Sequence, residues 1–273
     1  MNSKTRGKIS PAWRRVSRSP WFDLAQYLVL VFLVIWFFQR GTETLGYNWQ
    51  WSQVPRYIYV MTDNGFTPGP LLDGLLTTFQ ISAYSLGLAF VFGLGAALFR
   101  LSNSFAARVV ARVYLESIRN TPLLIQLFFI YFVVGPVLGL GRFFSAVLAL
   151  SLFEGAYASE IFRAGIVSIH RGQWEAAHSL GLGAFDTYFH VIMPQAIRRI
   201  LPPLTSQAVS LIKDSALVST IAIYDLTMQT KAVIAETFLT FELWFTAAAM
   251  YLAVTMTLSL VVNIMEKRLK TAG

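Results

Sequence analysis

Four ionisable side chains stand where the chain is otherwise apolar. Glu154 and Glu160 interrupt one hydrophobic segment, and Lys213 and Asp214 interrupt another. A charged group at the centre of a bilayer costs roughly 2.5–3.5 kcal/mol even on lenient scales, so each needs a partner or a wet cavity. Ser151, Glu154 and Tyr157 recur every three residues, which lines them along one helical face. Gln207, Ser210 and Asp214 form a similar stripe, with Ser206, Lys213 and Thr220 beside it. Lys213 and Asp214 are neighbours and point about 100° apart on a helix, so they do not face one another. Glu154 is a candidate partner for Lys213. Two chemistries fit: an ion-pair network that locks helices together, or the lining of a polar solute path at mid-membrane. Glu160 lies three residues before Arg163 and reads as an i,i+3 pair at the interface.

The elements that must position these groups are membrane spans. Hydrophobic residues make up 55% of the 273 residues and charged ones only 13%, with positive mean hydropathy, which marks a multi-span helical membrane protein. The unbroken apolar runs are too long for barrel strands of about 10 residues. No cysteine is present, which excludes disulfides and thiolate chemistry. The predicted architecture is all-α with about six transmembrane helices: Trp21–Phe38, Gly74–Phe99, Thr121–Leu140, Phe143–Phe162, a fifth from Pro203 to Tyr224, and Leu243–Met265. The first lacks a small-residue cleavage site and reads as an uncleaved anchor. Six spans divide Lys and Arg as 17 on the side of both termini and 4 opposite, with Lys213 inside a span. That asymmetry places both termini in the cytoplasm and gives the +8 charge a topological meaning, with no nucleic-acid partner implied.

The expected organisation is a basic cytoplasmic tail (1–20), an N-terminal span (21–40), an outer loop (41–73), a core (74–266) carrying a cytoplasmic loop (165–200), and a short tail (267–273). Tyr47, Trp49 and Trp51 in the outer loop suit an aromatic belt. Ala89, Gly93 and Ala97 make a small-residue stripe that serves either intramolecular packing or a subunit contact. Within the cytoplasmic loop, helix formers run from Gln173 to Leu180 and end at Gly181 and Gly183. Asp186 is placed to cap a second helix starting at Thr187, which Pro194 interrupts. Trp174, Phe185, Tyr188 and Phe189 would hold this hook near the membrane. The Ser210–Lys213 spacing matches a serine–lysine pattern but lacks companion motifs. His170, His178 and His190 do not share a face as metal ligands would.

The run Glu175-Ala176-Ala177, then Gly181, then Val191, Met193 and Pro194, resembles the EAA motif of ABC importer permeases. The stretches "ESIRNTPLLIQLFF", "FEGAYASEIFRAGI", "PQAIRRILPPLTSQ" and "IKDSALVSTIAIYDL" narrow the resemblance to the polar amino acid permeases of the histidine/glutamine/arginine/glutamate kind, over about residues 72 to 268. Phe153 and Ala216 depart from the usual pattern, which leaves the exact solute open. The resemblance implies a subunit of a bacterial inner-membrane importer, not an enzyme. It implies a second permease subunit, identical or homologous, a dimer of ATP-binding cassette ATPases and an extracytoplasmic solute-binding protein. Glu175, Ala176, Ala177, Gly181 and Pro194 would couple to the ATPase. A polar amino acid would meet Glu154 and Asp214 through its ammonium and Lys213 and Ser215 through its carboxylate, with Tyr157 beside the path. The chain has no G-x-x-x-x-G-K-[ST] loop, so ATP and Mg belong on the partner and no cofactor is expected here. Three rival readings are a permease for another small polar solute, such as an opine, a membrane-embedded enzyme using the span carboxylates, and a structural or sensory membrane subunit. Lipids would contact the spans and the basic tail.

Overall fold

The computed structural model describes residues 20–62 and 65–271. The tail expected over 1–20 lies almost wholly outside them. The chain divides into two compact units, residues 1–49 and 50–273. In the first, helix α1 (Pro20–Leu45) outlasts the apolar run that predicted it. Its described side chains are almost all exposed, as expected of a helix whose polar backbone is satisfied internally while its surface faces lipid.

The second unit opens with a one-turn helix (Pro55–Ile58) and an antiparallel hairpin, β1 (Tyr59–Thr62) with β2 (Gly65–Pro68), paired Tyr59 to Pro68 through Thr62 to Gly65. This hairpin falls within the outer segment expected as a loop, because four-residue strands give little periodicity. Helix α2 (Pro70–Leu101) starts with Pro in its first turn, where a missing N–H costs nothing. Helix α3 (Phe105–Arg119) is capped by Ser104, whose side chain accepts from the Ala107 N–H. A bend of 108° separates α3 from α4 (Leu123–Leu138), which contains a π-turn at Ile130–Val134 and ends at Gly139 with φ +66. Helix α5 (Arg142–Val167) packs along α2. Then come the hook helix α6 (Arg171–Ser179), α7 (Met193–Asp214), α8 (Leu226–Thr237) and the last long helix, α9 (Thr240–Thr271).

The expected six spans are only partly realised by length and composition. Among the described residues four helices are long and apolar enough to cross a membrane, α1, α2, α5 and α9, and a fifth if the bent α3–α4 pair counts as one. The expected fifth span, Pro203 to Tyr224, is not one continuous α-helix. It ends at Asp214, tightens into a 3-10 segment (Ser215–Ile221) and stops at Ala222 with φ 57. Helix α7, which starts upstream of that span, carries Arg198, Arg199, Gln207 and two interior prolines, which dilute its hydropathy. Pro202 and Pro203 each remove a backbone donor from α7, and the Thr205 hydroxyl donates to the carbonyls of Leu201 and Pro202 at 3.0 and 2.8 Å.

The small-residue stripe of α2 is settled as intramolecular. Ala89, Gly93 and Ala97 are buried. A Cβ added to Gly93 would meet the Ala158 Cβ at 2.7 Å and the Gly155 carbonyl at 2.9 Å, whereas one added to Gly95 would meet nothing. Gly93→Val should therefore lower the thermal stability of the purified chain by about 1–3 kcal/mol and reduce its recovery from membranes, and Gly95→Val should do neither. Equal loss in both variants, read by thermal melting and membrane yield, would reject this packing.

Candidate functional site

Two regions collect the residues singled out by sequence. The first lies between α2, α5 and α7. Glu154 is 2% exposed, buried by its position on the face of α5 that meets both neighbours. Its Oε2 accepts from the Gln207 Nε2 at 2.6 Å, and its Oε1 has no hydrogen-bond partner. Both border a recess of about 170 Å³ whose walls are otherwise mostly apolar, among them Leu86, Phe90, Ala158 and Leu204. The Asp214 carboxyl lies close enough to Glu154 to interact with it. The structure thus brings Glu154, Gln207 and Asp214 together, and the unpartnered oxygen of Glu154 leaves an acceptor for a cationic or hydrogen-bonding group.

Lys213 goes elsewhere. It is exposed, makes no salt bridge among the described residues, and lines a separate groove of about 550 Å³ with Thr255, Thr257, Ser259 and Asn263 of α9. The pairing of Lys213 with Glu154 considered from sequence is not formed; Gln207 takes that place. The reason is angular, since one residue's advance on α7 turns Lys213 away from α5. Ser215 is buried and its hydroxyl donates to the Ile212 carbonyl at 2.8 Å. Tyr157 sits half-buried on another side of α5, its ring 5.0 Å from that of Phe153 and under the Arg119 guanidinium at 5.6 Å. Arg119 carried no sequence signal beyond its charge, because its partner is a ring 38 residues away. Glu160 pairs with Arg163 at 2.6 Å, as expected, and also with Arg100 at 2.5 Å, which was not.

A further polar cluster was missed. Asp225 is fully buried, caps α8 by accepting from the Met228 N–H at 2.9 Å, and takes the Tyr251 hydroxyl at 3.4 Å. Burial pushes its carboxyl up to about 6 against those hydrogen bonds. Asp–Leu–Thr–Met is a readable N-cap in sequence, but its burial is not.

The second region is the hook. His170 caps α6 through Nδ1, which accepts from the Gly172 N–H at 3.1 Å. The helix runs Arg171–Ser179, slightly ahead of the expected Gln173–Leu180. Gly181 has φ +75, which L side chains rarely adopt, and turns the chain. The return begins at Gly183, not at Asp186. A turn of helix (Ala184–Asp186) passes through a π-helical stretch (Thr187–Ile192) directly into α7. Asp186 is therefore not a cap, and it sits 3.5 Å from His190 instead. Pro194 does not interrupt the helix either. It falls in the first turn of α7, where the π register has already displaced the regular hydrogen bonds.

Glu175 and Ala176 face outward, while Ala177 is buried inside the hook. Trp174 meets Tyr188 edge-on at 4.8 Å, and the Gln195 side-chain amide donates to Gln173 at 3.0 Å. The hook is tied to the core by Arg199, which donates to the Ser168 carbonyl at 2.5 Å, and by Gly165, where a Cβ would strike the Ile200 side chain. Leu180 and Phe185 are 80% and 76% exposed at its tip, with Phe189 stacked on Phe185 at 5.8 Å. The arrangement is an internally braced hook with an exposed apolar tip. Among the described residues no three His, Asp or Glu side chains are grouped to hold a metal ion.

Residues 89–271 match the family described as binding-protein-dependent transport system inner membrane component. The chain is 38% identical over 203 residues to the glutamine transport system permease protein GlnP of Escherichia coli (strain K12), covering 73% of this chain and 93% of that one. It is 39% identical over 203 residues to the L-cystine transport system permease protein TcyB of Bacillus subtilis (strain 168), covering 73% and 87%. A crystal structure of an amino acid ABC transporter with histidines superposes with a TM-score of 0.69 at 37% identity, covering 73% of this chain and 94% of that one. The MetNI methionine ABC transporter in an inward-facing form shares the fold, with a TM-score of 0.61 at 15% identity over 73% of this chain and 95% of its own.

The Glu154–Gln207 contact yields a prediction. Gln207→Leu should strand a buried carboxylate and destabilise the purified chain by about 1–3 kcal/mol. Glu154→Leu combined with Gln207→Leu should recover part of that loss. A double-mutant cycle by thermal melting that showed simple additivity would mean the two side chains are not coupled.

Proposed function

The chain belongs to the family of inner-membrane components of binding-protein-dependent transport systems, and from that membership we propose how its residues divide the work of an ATP-driven importer. It is a transport permease and not a catalytic enzyme. Its solute is a polar amino acid, a reading supported by the names of its relatives. The observation that carries the coupling role is the braced hook on a chain with no phosphate-binding loop. Energy must then enter through a contact with a separate ATPase, which carries ATP and Mg. Glu175 and Ala176 face that partner, Gly181 permits the turn, Ala177 and Pro194 hold the hook's inner packing, and the exposed Leu180 and Phe185 fill an apolar cleft.

The chain crosses the membrane six times, with α7 and its 3-10 extension as the shielded inner crossing, and both termini face the cytoplasm. Support comes from the 17-to-4 division of Lys and Arg. Residues 1–20 form a basic tail, 21–40 the added span, 41–73 the outer segment and 74–266 the transport core. A second permease subunit completes the path, and a solute-binding protein delivers solute from outside. The solute's ammonium meets Glu154 and Asp214. Lys213 lines a separate groove with Thr255 and Asn263, so it meets the solute's carboxylate at another point of the path and not at the Glu154 recess, and Tyr157 and Ser215 belong to the elements beside the path without lining either recess.

Gly181→Val, which forces a β-branched residue to a positive φ, should lower ATPase stimulation by loaded binding protein about tenfold or more with the complex still assembled. Glu175→Lys should act in the same direction. Unchanged stimulation in reconstituted complexes would reject the coupling role. Glu154→Gln should cut uptake while the subunits still co-purify; loss of co-purification would make Glu154 structural.

A further inference from the structure

Helix α3 carries a feature that neither the hook nor the Glu154 recess uses. Arg108, Arg112 and Arg119 recur at helical spacing along one side of it, and Arg100 joins them from the end of α2. Together with Leu115 and Glu116 they line a half-open recess of about 180 Å³. Four guanidiniums thus face one carboxylate. Their donors are only partly used. Arg100 gives Nη1 to Glu160 at 2.5 Å, Arg108 gives Nη1 to the Ser102 carbonyl at 2.9 Å, and Arg119 covers the Tyr157 ring. Glu116 is engaged by the Asn120 side-chain amide at 3.0 Å. Arg112 has no hydrogen bond or ion pair among the described residues. A positive recess of this size suits an anion with several acceptor oxygens, which planar guanidiniums bind through paired N–H groups.

The rest of α3 says where such an anion comes from. Ala111 and Leu115 are buried against the core. Phe105, Val109, Val110 and Val113 form a third side and are exposed, Phe105 to 76%. The helix is bent by 108° from α4, so when α4 crosses the bilayer α3 lies nearly in its plane. An in-plane helix with an apolar flank and a basic flank sits at the boundary of headgroups and acyl chains. We propose that the arginine recess of α3 is a binding site for the phosphodiester headgroup of an anionic phospholipid, whose acyl chains run along Phe105, Val109, Val110 and Val113. Charge complementarity selects the headgroup, and the apolar flank selects a lipid over a soluble phosphate.

The test uses the full chain in phosphatidylcholine nanodiscs containing phosphatidylglycerol, with retained lipid counted by native mass spectrometry. Wild type should retain phosphatidylglycerol, and Arg108→Gln with Arg112→Gln should weaken retention about thirtyfold. Arg142→Gln, at the opposite end of the adjoining helix α5, should have no effect. Equal retention by wild type and the double variant would overturn the site. Glycerol 3-phosphate at millimolar concentration should not displace the lipid; displacement would assign the recess to a soluble anion and overturn the lipid reading. Because the chain has no native cysteine, a spin label at Val110→Cys reads depth without disturbing the arginines. Relaxation by oxygen above that by a water-soluble nickel chelate supports the placement. Protection from both would show a protein partner over this flank and overturn it.

Discussion

The close approach of α2 and α5 is the contact on which the rest of the molecule depends. Gly93 rests against Ala158 and the Gly155 carbonyl, with Ala89 and Ala97 buried on the same stripe. In a bilayer the hydrophobic effect does not drive helices together, so dispersion over such small-residue faces must do so. This packing fixes the rotation of α5 about its axis. The rotation in turn aims Glu154 at α7, Tyr157 at Arg119, and Glu160 at Arg100. A different crossing of α2 and α5 would scatter all three.

Polar groups inside this core fall into two kinds. Some are consumed locally, as when the Ser151 hydroxyl donates to the Val147 carbonyl at 2.5 Å or Ser215 to Ile212. These substitute for water and carry no message beyond helix stability. Others reach across helices and leave part of their capacity unused, as the Glu154 Oε1 does. An unsatisfied buried acceptor is costly, and that of Glu154 borders a recess.

The hook obeys the opposite logic. It stands outside the apolar core and is made rigid by internal contacts, Trp174 on Tyr188 and Gln195 on Gln173, then fastened by Arg199 and Gly165. These contacts join the hook to α7, which carries Gln207 and Asp214. The hook and the polar recess therefore share one helix, and the π-turns at its start let Pro194 be accommodated without a break.

The sequence alone determined the class of the molecule. Apolar run length and the Glu–Ala–Ala–Gly pattern are local or additive signals, and they were sufficient for the all-α membrane class and the family, but they counted six spans where four helices, or five with the bent pair, are long and apolar enough among the described residues. Local capping signals were read less well: Asp186 looked like an N-cap, but the helix had already begun at Gly183. The hairpin of Tyr59–Pro68 was missed because four-residue strands give little periodicity. Partners were decided only by tertiary structure. Glu154 chose Gln207 over Lys213, although 53 residues of chain separate the pair, because the angle of α7 against α5 sets which stripe faces inward. Lys213 turned to α9, and Arg119 found Tyr157, for the same reason. Hydropathy says that a residue lies in a helix and charge says which side it prefers, but helix rotation is set by packing between distant segments, and no local pattern encodes it.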